Sequence, residues 1–347
     1  MPAKPAAGTI VGISDMSVAR AAHTATLLRD GRVLLVGGLD AAAGTAELFD
    51  PTTRTFARTG PLGARRVGHT ATLLSDGRVL IAGGFNGSYL ASTEIYDPAQ
   101  GTFSAGPSMT VPRSDHLAIT LRDGRTLIIG GQGGESLFLA TAEIFDPATS
   151  RFTSTGSMAV PRASHVAGLL PDGAVIVVGG HSGRHENIQL YATAERYDPV
   201  RGIFSAAGTM TRRRHKHSGV VLSNGQLLIT GGSDERDDRG LYRDAEAYDP
   251  SSGRFRNVGE MQQGRYKHAG AMTLLRDGKV LIAGGADDGE LFDPATGSFT
   301  LVPTSPKLAG SFSTVTQLLD GSVLIAGGYG TGVAARANAW MFVPASR

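Results

Sequence analysis

The chain has 347 residues, 41% of them hydrophobic and 18% charged, and its 33 Lys and Arg nearly balance 31 Asp and Glu. Such a chain can build a large core, which excludes a disordered or collagenous protein, and a net charge of +2 leaves no basic excess for a phosphate backbone, which excludes nucleic acid. It has no cysteine, hence no disulfide framework or thiol nucleophile, and no apolar run approaches the ~18 residues of a membrane span.

The first residues lack the apolar stretch of a signal peptide, which places the protein in the cytoplasm if Met1 is native and makes it an exported protein if a leader was removed. Gly8 to Met16 reads as a short strand. Next, His23–Arg29 and Arg32–Val36 flank Asp30-Gly31, two strands joined by a tight turn whose positive φ angles Asp and Gly tolerate. A third strand is expected at Ala46–Phe49, ended by Asp50-Pro51 because proline cannot continue the ladder, and a fourth at Thr55–Ala57.

This unit recurs. Asp-Gly or Asn-Gly pairs begin at Asp30, Asp76, Asp123, Asp172, Asn224, Asp277 and Asp320, each followed seven residues later by Gly-Gly. Six Asp-Pro pairs end the third strands, and phenylalanines at 56, 103, 152, 204, 255 and 299 mark the fourth. Four strands per 43 to 53 residues is a propeller blade. The last unit, ending in Trp340–Arg347, has room for three strands only, so the Gly8–Met16 strand is expected to complete it and remove an unpaired edge. The expectation is an all-β, seven-bladed β-propeller over residues 1–347, with blades beginning near residues 20, 66, 113, 162, 214, 265 and 310.

The Gly-Gly placement resembles kelch repeats of bacterial type, over nearly the whole chain. The run Met16–Arg20 leading into Asp30–Gly38 also resembles the seven-bladed domain of galactose oxidase, whose copper site is built from tyrosines and histidines in the same connections. This sequence has no cysteine for the Tyr-Cys cross-link and carries Ala22 where a ligand tyrosine would stand, so the resemblance implies the scaffold and not the oxidase chemistry. No cofactor and no metal are expected, although His181, His185 and His215 are imidazoles that a metal would need to converge.

Repetition also identifies scaffold residues. Arg stands three residues before His at Arg20, Arg66, Arg113, Arg162, Arg214 and Arg265, and the third strands carry Glu47, Glu94, Glu143, Glu195, Glu246 and Glu290. The seventh unit has Gly310 and Trp340 instead, losing both together. Each Arg is therefore expected to bridge the Glu of its own blade in the interior.

Function is sought where the repeat breaks. Length varies mainly in the loop between strands two and three, longest in blades four and five, and this loop shares a face with the connections between blades. There the sequence departs from small residues: His181, Arg184 and His185 in blade four, Asp234 and Glu235 in blade five, and Asp287 and Asp288 in blade six. The connections bring Asp115, Arg213, His215, Lys216, Tyr266 and Lys267. Two extra residues after His268 are expected to form a bulge in strand one of blade six.

The polar face of blades four to six is expected to hold a small polar, anionic partner, an acidic sugar or carboxylate, with His181, Arg184, His185, Arg213, Asp234, Glu235, Asp287, Asp288 and Asp115 as binding candidates. An alternative is a cofactor-independent lyase or isomerase, with Lys216, His215 or Lys267 moving a proton and Tyr266 as acid. A third is a protein-interaction scaffold, against which stands an aromatic content of only 6%.

Overall fold

The computed structural model describes residues 8–345 except Ala309, Thr331 and Gly332. Seven antiparallel sheets follow one another, and their inner strands, Thr24–Leu27, Thr70–Leu73, Leu117–Thr120, Val166–Leu169, Ser218–Val221, Met272–Leu274 and Thr314–Gln317, contact one another in a closed ring. No helix among the described residues is long and apolar enough to cross a membrane.

The second strand of each blade shows why the ring forms. Val33–Val36 is buried at every position, with Val33 and Leu35 packing against Leu318, Leu324 and Met341 of blade seven and Leu34 and Val36 against Val79 and Ile81 of blade two. Alternation along the strand gives one residue to each neighbour, so an unbroken apolar run is the signature of a strand between two blades. The third and fourth strands are tied by aromatic pairs such as Tyr96 with Phe103 and Phe292 with Phe299, centroids 4.8 and 4.7 Å apart.

The Arg and Glu of blades one to six meet as expected, from 2.8 Å for Arg113–Glu143 to 3.1 Å for Arg20–Glu47. Arg113 also donates to the Gly130 and Thr141 carbonyls, and Glu143 accepts the Thr110 and Val111 N–H groups. The pair thus holds the connection between blades onto its own blade. The histidines three residues on are buried, and Nε2 of His69 and His116 lies 3.1 and 3.0 Å from a threonine hydroxyl of the preceding blade.

The first glycine of a doublet is positional. Gly83 has φ +64, and a Cβ there would meet the Arg113 carbonyl oxygen at 2.4 Å, so no side chain fits between consecutive blades.

Thr9–Gly12 pairs antiparallel with Ala339–Val343 and closes the ring. Thr304–Ser305 adds a short parallel strand outside it, making the last blade five-stranded. Two local expectations are corrected. In the Asp-Gly turns only glycine takes positive φ (Gly31, +88), while Asp30 accepts the Arg32 N–H through its carboxylate; the turn is a three-residue hairpin loop with Gly in the left-handed position. In blade six the extra residues form a turn closed by Ala271 N–H to His268 O, before a three-residue strand whose register is unbroken. The ladder keeps its pairing by starting later, and there is no bulge.

Candidate functional site

The residue before each repeated histidine, or before Ser313 in blade seven, is left-handed in all seven blades: Ala22, Gly68, Asp115, Ser164, Lys216, Lys267 and Phe312, with φ between 51 and 65. Several bond directly around the axis, Asp115 N–H to Gly68 O at 2.8 Å and Phe312 N–H to Lys267 O at 2.7 Å among them. That conformation costs a non-glycine residue about 1–2 kcal/mol. The ring of blades imposes it everywhere, and sequence decides only which side chain each blade brings to the axis.

In blade five that side chain, Lys216, joins a chain of titratable groups that reaches His181 of blade four. Lys216 Nζ donates to both carboxylate oxygens of Asp237, at 2.7 and 2.9 Å. His215 Nε2 is 3.2 Å from Asp237 Oδ1, close but off line for a hydrogen bond, and His215 Nδ1 lies 3.4 Å from His181 Nδ1. His181 in turn packs edge-on against Phe138. Burial, and then the neighbouring His215, push His181 down to about 3, so it is neutral at ordinary pH. The closeness of His215, then Lys216, keeps Asp237 well below the usual carboxylate range. Burial draws Lys216 below the ordinary lysine value against the pull of Asp237.

In blades six and seven the arrangement differs. Lys267 Nζ donates to Tyr329 Oη at 3.0 Å and lies 5.0, 5.8 and 5.7 Å from the ring centres of Tyr266, Phe312 and Tyr329. Three aromatic rings hold the ammonium, and among the described residues it has no carboxylate partner. It lines a cavity of about 770 Å³ with Tyr266, Tyr329, Asp237, Asp287 and Arg336. This cavity lies over blades five, six and seven.

The other candidates are distributed as follows. Arg184 reaches across to Gln132 Oε1 at 2.9 Å and Tyr89 Oη at 3.4 Å. Asp115 is exposed at the axis and accepts from Ser114 Oγ. His185, Arg213 and Glu235 line a separate outer groove, with Arg213 and Glu235 paired at 3.2 Å, so His185 does not join the other two imidazoles. Asp234 is taken up by Arg236 within its own loop, and Asp288 by Lys307 and the Thr304 N–H; neither lines the cavity. Asp287 does. Sequence reasoning did not single out Asp237, Tyr329 or Arg336. The residue following each Gly-Gly carried a signal for Tyr329: around the ring it is Leu39, Phe85, Gln132, His181, Ser233, Ala286 and Tyr329.

A copper centre of tyrosines and histidines does not fit this mouth. Tyr266 and Tyr329 surround an ammonium that repels a metal cation, and among the described residues no three His, Asp or Glu are placed to hold a metal ion.

A search of curated protein sequences finds no match. Among solved structures the chain is similar to a fungal alcohol oxidase of the AA5 family, in complex with copper, at 18% identity and a TM-score of 0.75, over 97% of this chain and 76% of that one. It is also similar to YjhT, at 14% identity and a TM-score of 0.63, over 94% of this chain and 95% of that one. At these identities the likeness is one of fold. The kelch motif matches residues 65–110, 113–159 and 214–262, and a unit of four antiparallel strands recurs seven times around the ring, the last with one further short strand: the chain is a seven-bladed β-propeller that carries kelch motifs.

Proposed function

We propose that the face carrying the connections between blades binds a small organic anion, an acidic sugar or other carboxylate, in the cavity over blades five to seven. The observation that carries this reading is Lys267. Burial opposes its charge, but the Tyr329 hydrogen bond together with the electrostatic pull of Tyr329, Tyr266 and Asp237 leaves its pKa above the ordinary lysine value, and no carboxylate among the described residues pairs with it directly. A half-buried cation held by neutral rings favours an anionic guest over water. Lys216, by contrast, is already compensated by Asp237, so Lys267 is the charge partner and Lys216 lies beside it.

The test is calorimetric titration with acetate, D-glucuronate and the neutral sugar D-glucose. The acids are expected to bind wild type and to lose about tenfold or more in affinity in Lys267→Met, with Lys216→Met weaker in effect and glucose inert. If neither acid binds, or if Lys267→Met binds them as wild type does, the reading is wrong.

A second reading, acid–base catalysis on the same face, is favoured by the chain from Lys216 through Asp237 to His215 and His181, in which burial draws the lysine toward its neutral form while its neighbours hold the carboxylate charged. It requires turnover of a bound acid that is lost in Lys216→Met while binding persists.

A further inference from the structure

Tyr329 is almost buried, at 8% exposure, lines the cavity, and bonds through its hydroxyl to Lys267. An ammonium can only donate. The phenolic oxygen is therefore the acceptor in that bond, and its own proton is left for another acceptor; among the described residues no side chain or backbone carbonyl takes it. A hydroxyl on a nearly buried residue that lines a cavity, with no acceptor among the described residues, is a donor available to a guest. The Phe312 ring packs 5.7 Å from that of Tyr329, and the Lys267 ammonium occupies one acceptor position of the phenolic oxygen.

We propose that Tyr329 donates its phenolic proton to an oxygen of the bound anion, and that the group recognised here is a carboxylate held at two points, one oxygen by Lys267 Nζ and the other by Tyr329 Oη. This rests on the anion-binding reading above and goes beyond it in naming the recognised group and its second donor. The two donors stand 3.0 Å apart, a spacing at which each oxygen of one carboxylate accepts from one donor. No proton is transferred in this recognition. Lys267 keeps its charge, and the phenol keeps its O–H bond while exchanging solvent for a carboxylate oxygen.

The experiment titrates acetate, D-glucuronate and chloride into wild type, Tyr329→Phe and Lys267→Met, with thermal melts to show that each variant is folded. Ultraviolet resonance Raman spectra of wild type and Tyr329→Phe then isolate the Tyr329 signal, whose ring-mode intensities distinguish a phenol that accepts from one that donates. Tyr329→Phe is expected to weaken both carboxylates about tenfold and chloride less, and the Raman signal is expected to shift toward a stronger hydrogen-bond donor when acetate is added. Equal carboxylate affinity in Tyr329→Phe, with loss in Lys267→Met, overturns the role of Tyr329 and leaves the anion site standing. Equal weakening of chloride and carboxylate overturns two-point recognition. Failure of both carboxylates to bind wild type overturns the anion site and this inference together. If Tyr329→Phe is unfolded, a tyrosine Raman response to acetate that is present in wild type and absent in Lys267→Met supports the inference, and no response in wild type overturns it.

Discussion

Trp340 donates its indole N–H to the Pro306 carbonyl at 2.9 Å, in the third-strand position where the six other blades hold a buried glutamate. Its own side chain is 1% exposed and packs with Ile10, Leu281 and Phe342. Blade seven thus replaces a buried ion pair by an apolar contact with one neutral hydrogen bond. The molecule contains both solutions to the same geometric problem, fastening the incoming connection to the third strand.

That comparison predicts the response of the ion-pair blades. In blade three, Glu143→Leu or Arg113→Met alone leaves one charge buried without its partner and is expected to destabilise by about 3–5 kcal/mol. The double variant Arg113→Met/Glu143→Leu is expected to lose clearly less than the sum of the two. Urea unfolding of all four proteins gives the cycle, and single-variant losses below ~1 kcal/mol would show that the pair does not fasten the blade.

Acid stability follows from the histidine belt. Burial pushes His23, His69, His165 and His268 down to about 3, and His116 and His217 well below their ordinary value, against ~6.5 in an unfolded chain. Between those values the unfolded chain takes up protons that the folded one refuses. Stability is therefore complete above about pH 6.5 and falls as pH drops toward about 3, by up to ~1.4 kcal/mol per pH unit for each imidazole. His165, which makes no hydrogen bond through either ring nitrogen, is the cleanest probe. His165→Gln should reduce the slope of stability against pH by about one proton, and a wild-type stability that stays flat from about pH 7 to about pH 4 would contradict the argument.

Ring closure depends on few residues. Ile10, 3% exposed, is buried among Leu291, Val302 and Phe342, and Thr9–Gly12 covers the edge of Ala339–Val343. Removal of residues 1–12 exposes both that edge and an apolar cluster. A lowered melting temperature together with concentration-dependent association in light scattering is expected. A truncated chain that stays monomeric with an unchanged melt would show that closure contributes nothing.

Asp237 raises the pKa of Lys216, so Asp237→Asn should lower it further and increase labelling of Lys216 by an amine-reactive reagent at neutral pH, read by mass spectrometry. The depressed carboxylate contributes stability that is present above about pH 4 and lost as pH falls through its folded value. Because Asp237 is 44% exposed, that contribution is at most ~1 kcal/mol, and the variant should melt almost as wild type does at acid pH. Unchanged labelling would mean that solvent, not Asp237, sets the state of Lys216.

Much of the scaffold was legible because it is written seven times. The Gly83 type of doublet, the Arg113–Glu143 type of bridge and the Val33–Val36 type of strand each recur at a fixed offset, and a single residue's role is checked by its copies. The joint loss of Arg and Glu in blade seven was enough to pair them. The site was less legible, because its residues are the exceptions to the repeat and have no copies to check them. Lys216 and Lys267 stood out as departures in the connections, yet nothing in their neighbourhood along the chain distinguished the lysine paired with Asp237 from the one held by aromatic rings.

Sequence by itself determined the blade count, the closing strand and the bridges, since these follow from periodicity and from interactions within a blade or between consecutive ones. Only the tertiary structure decided which charges face one another at the axis. Lys267 and Tyr329 are 62 residues apart and meet because the ring brings neighbouring blades edge to edge; Asp237 reaches Lys216, and not Arg213, because its loop folds inward over the mouth. The packing of blades sets those distances, and no local pattern in the chain encodes them.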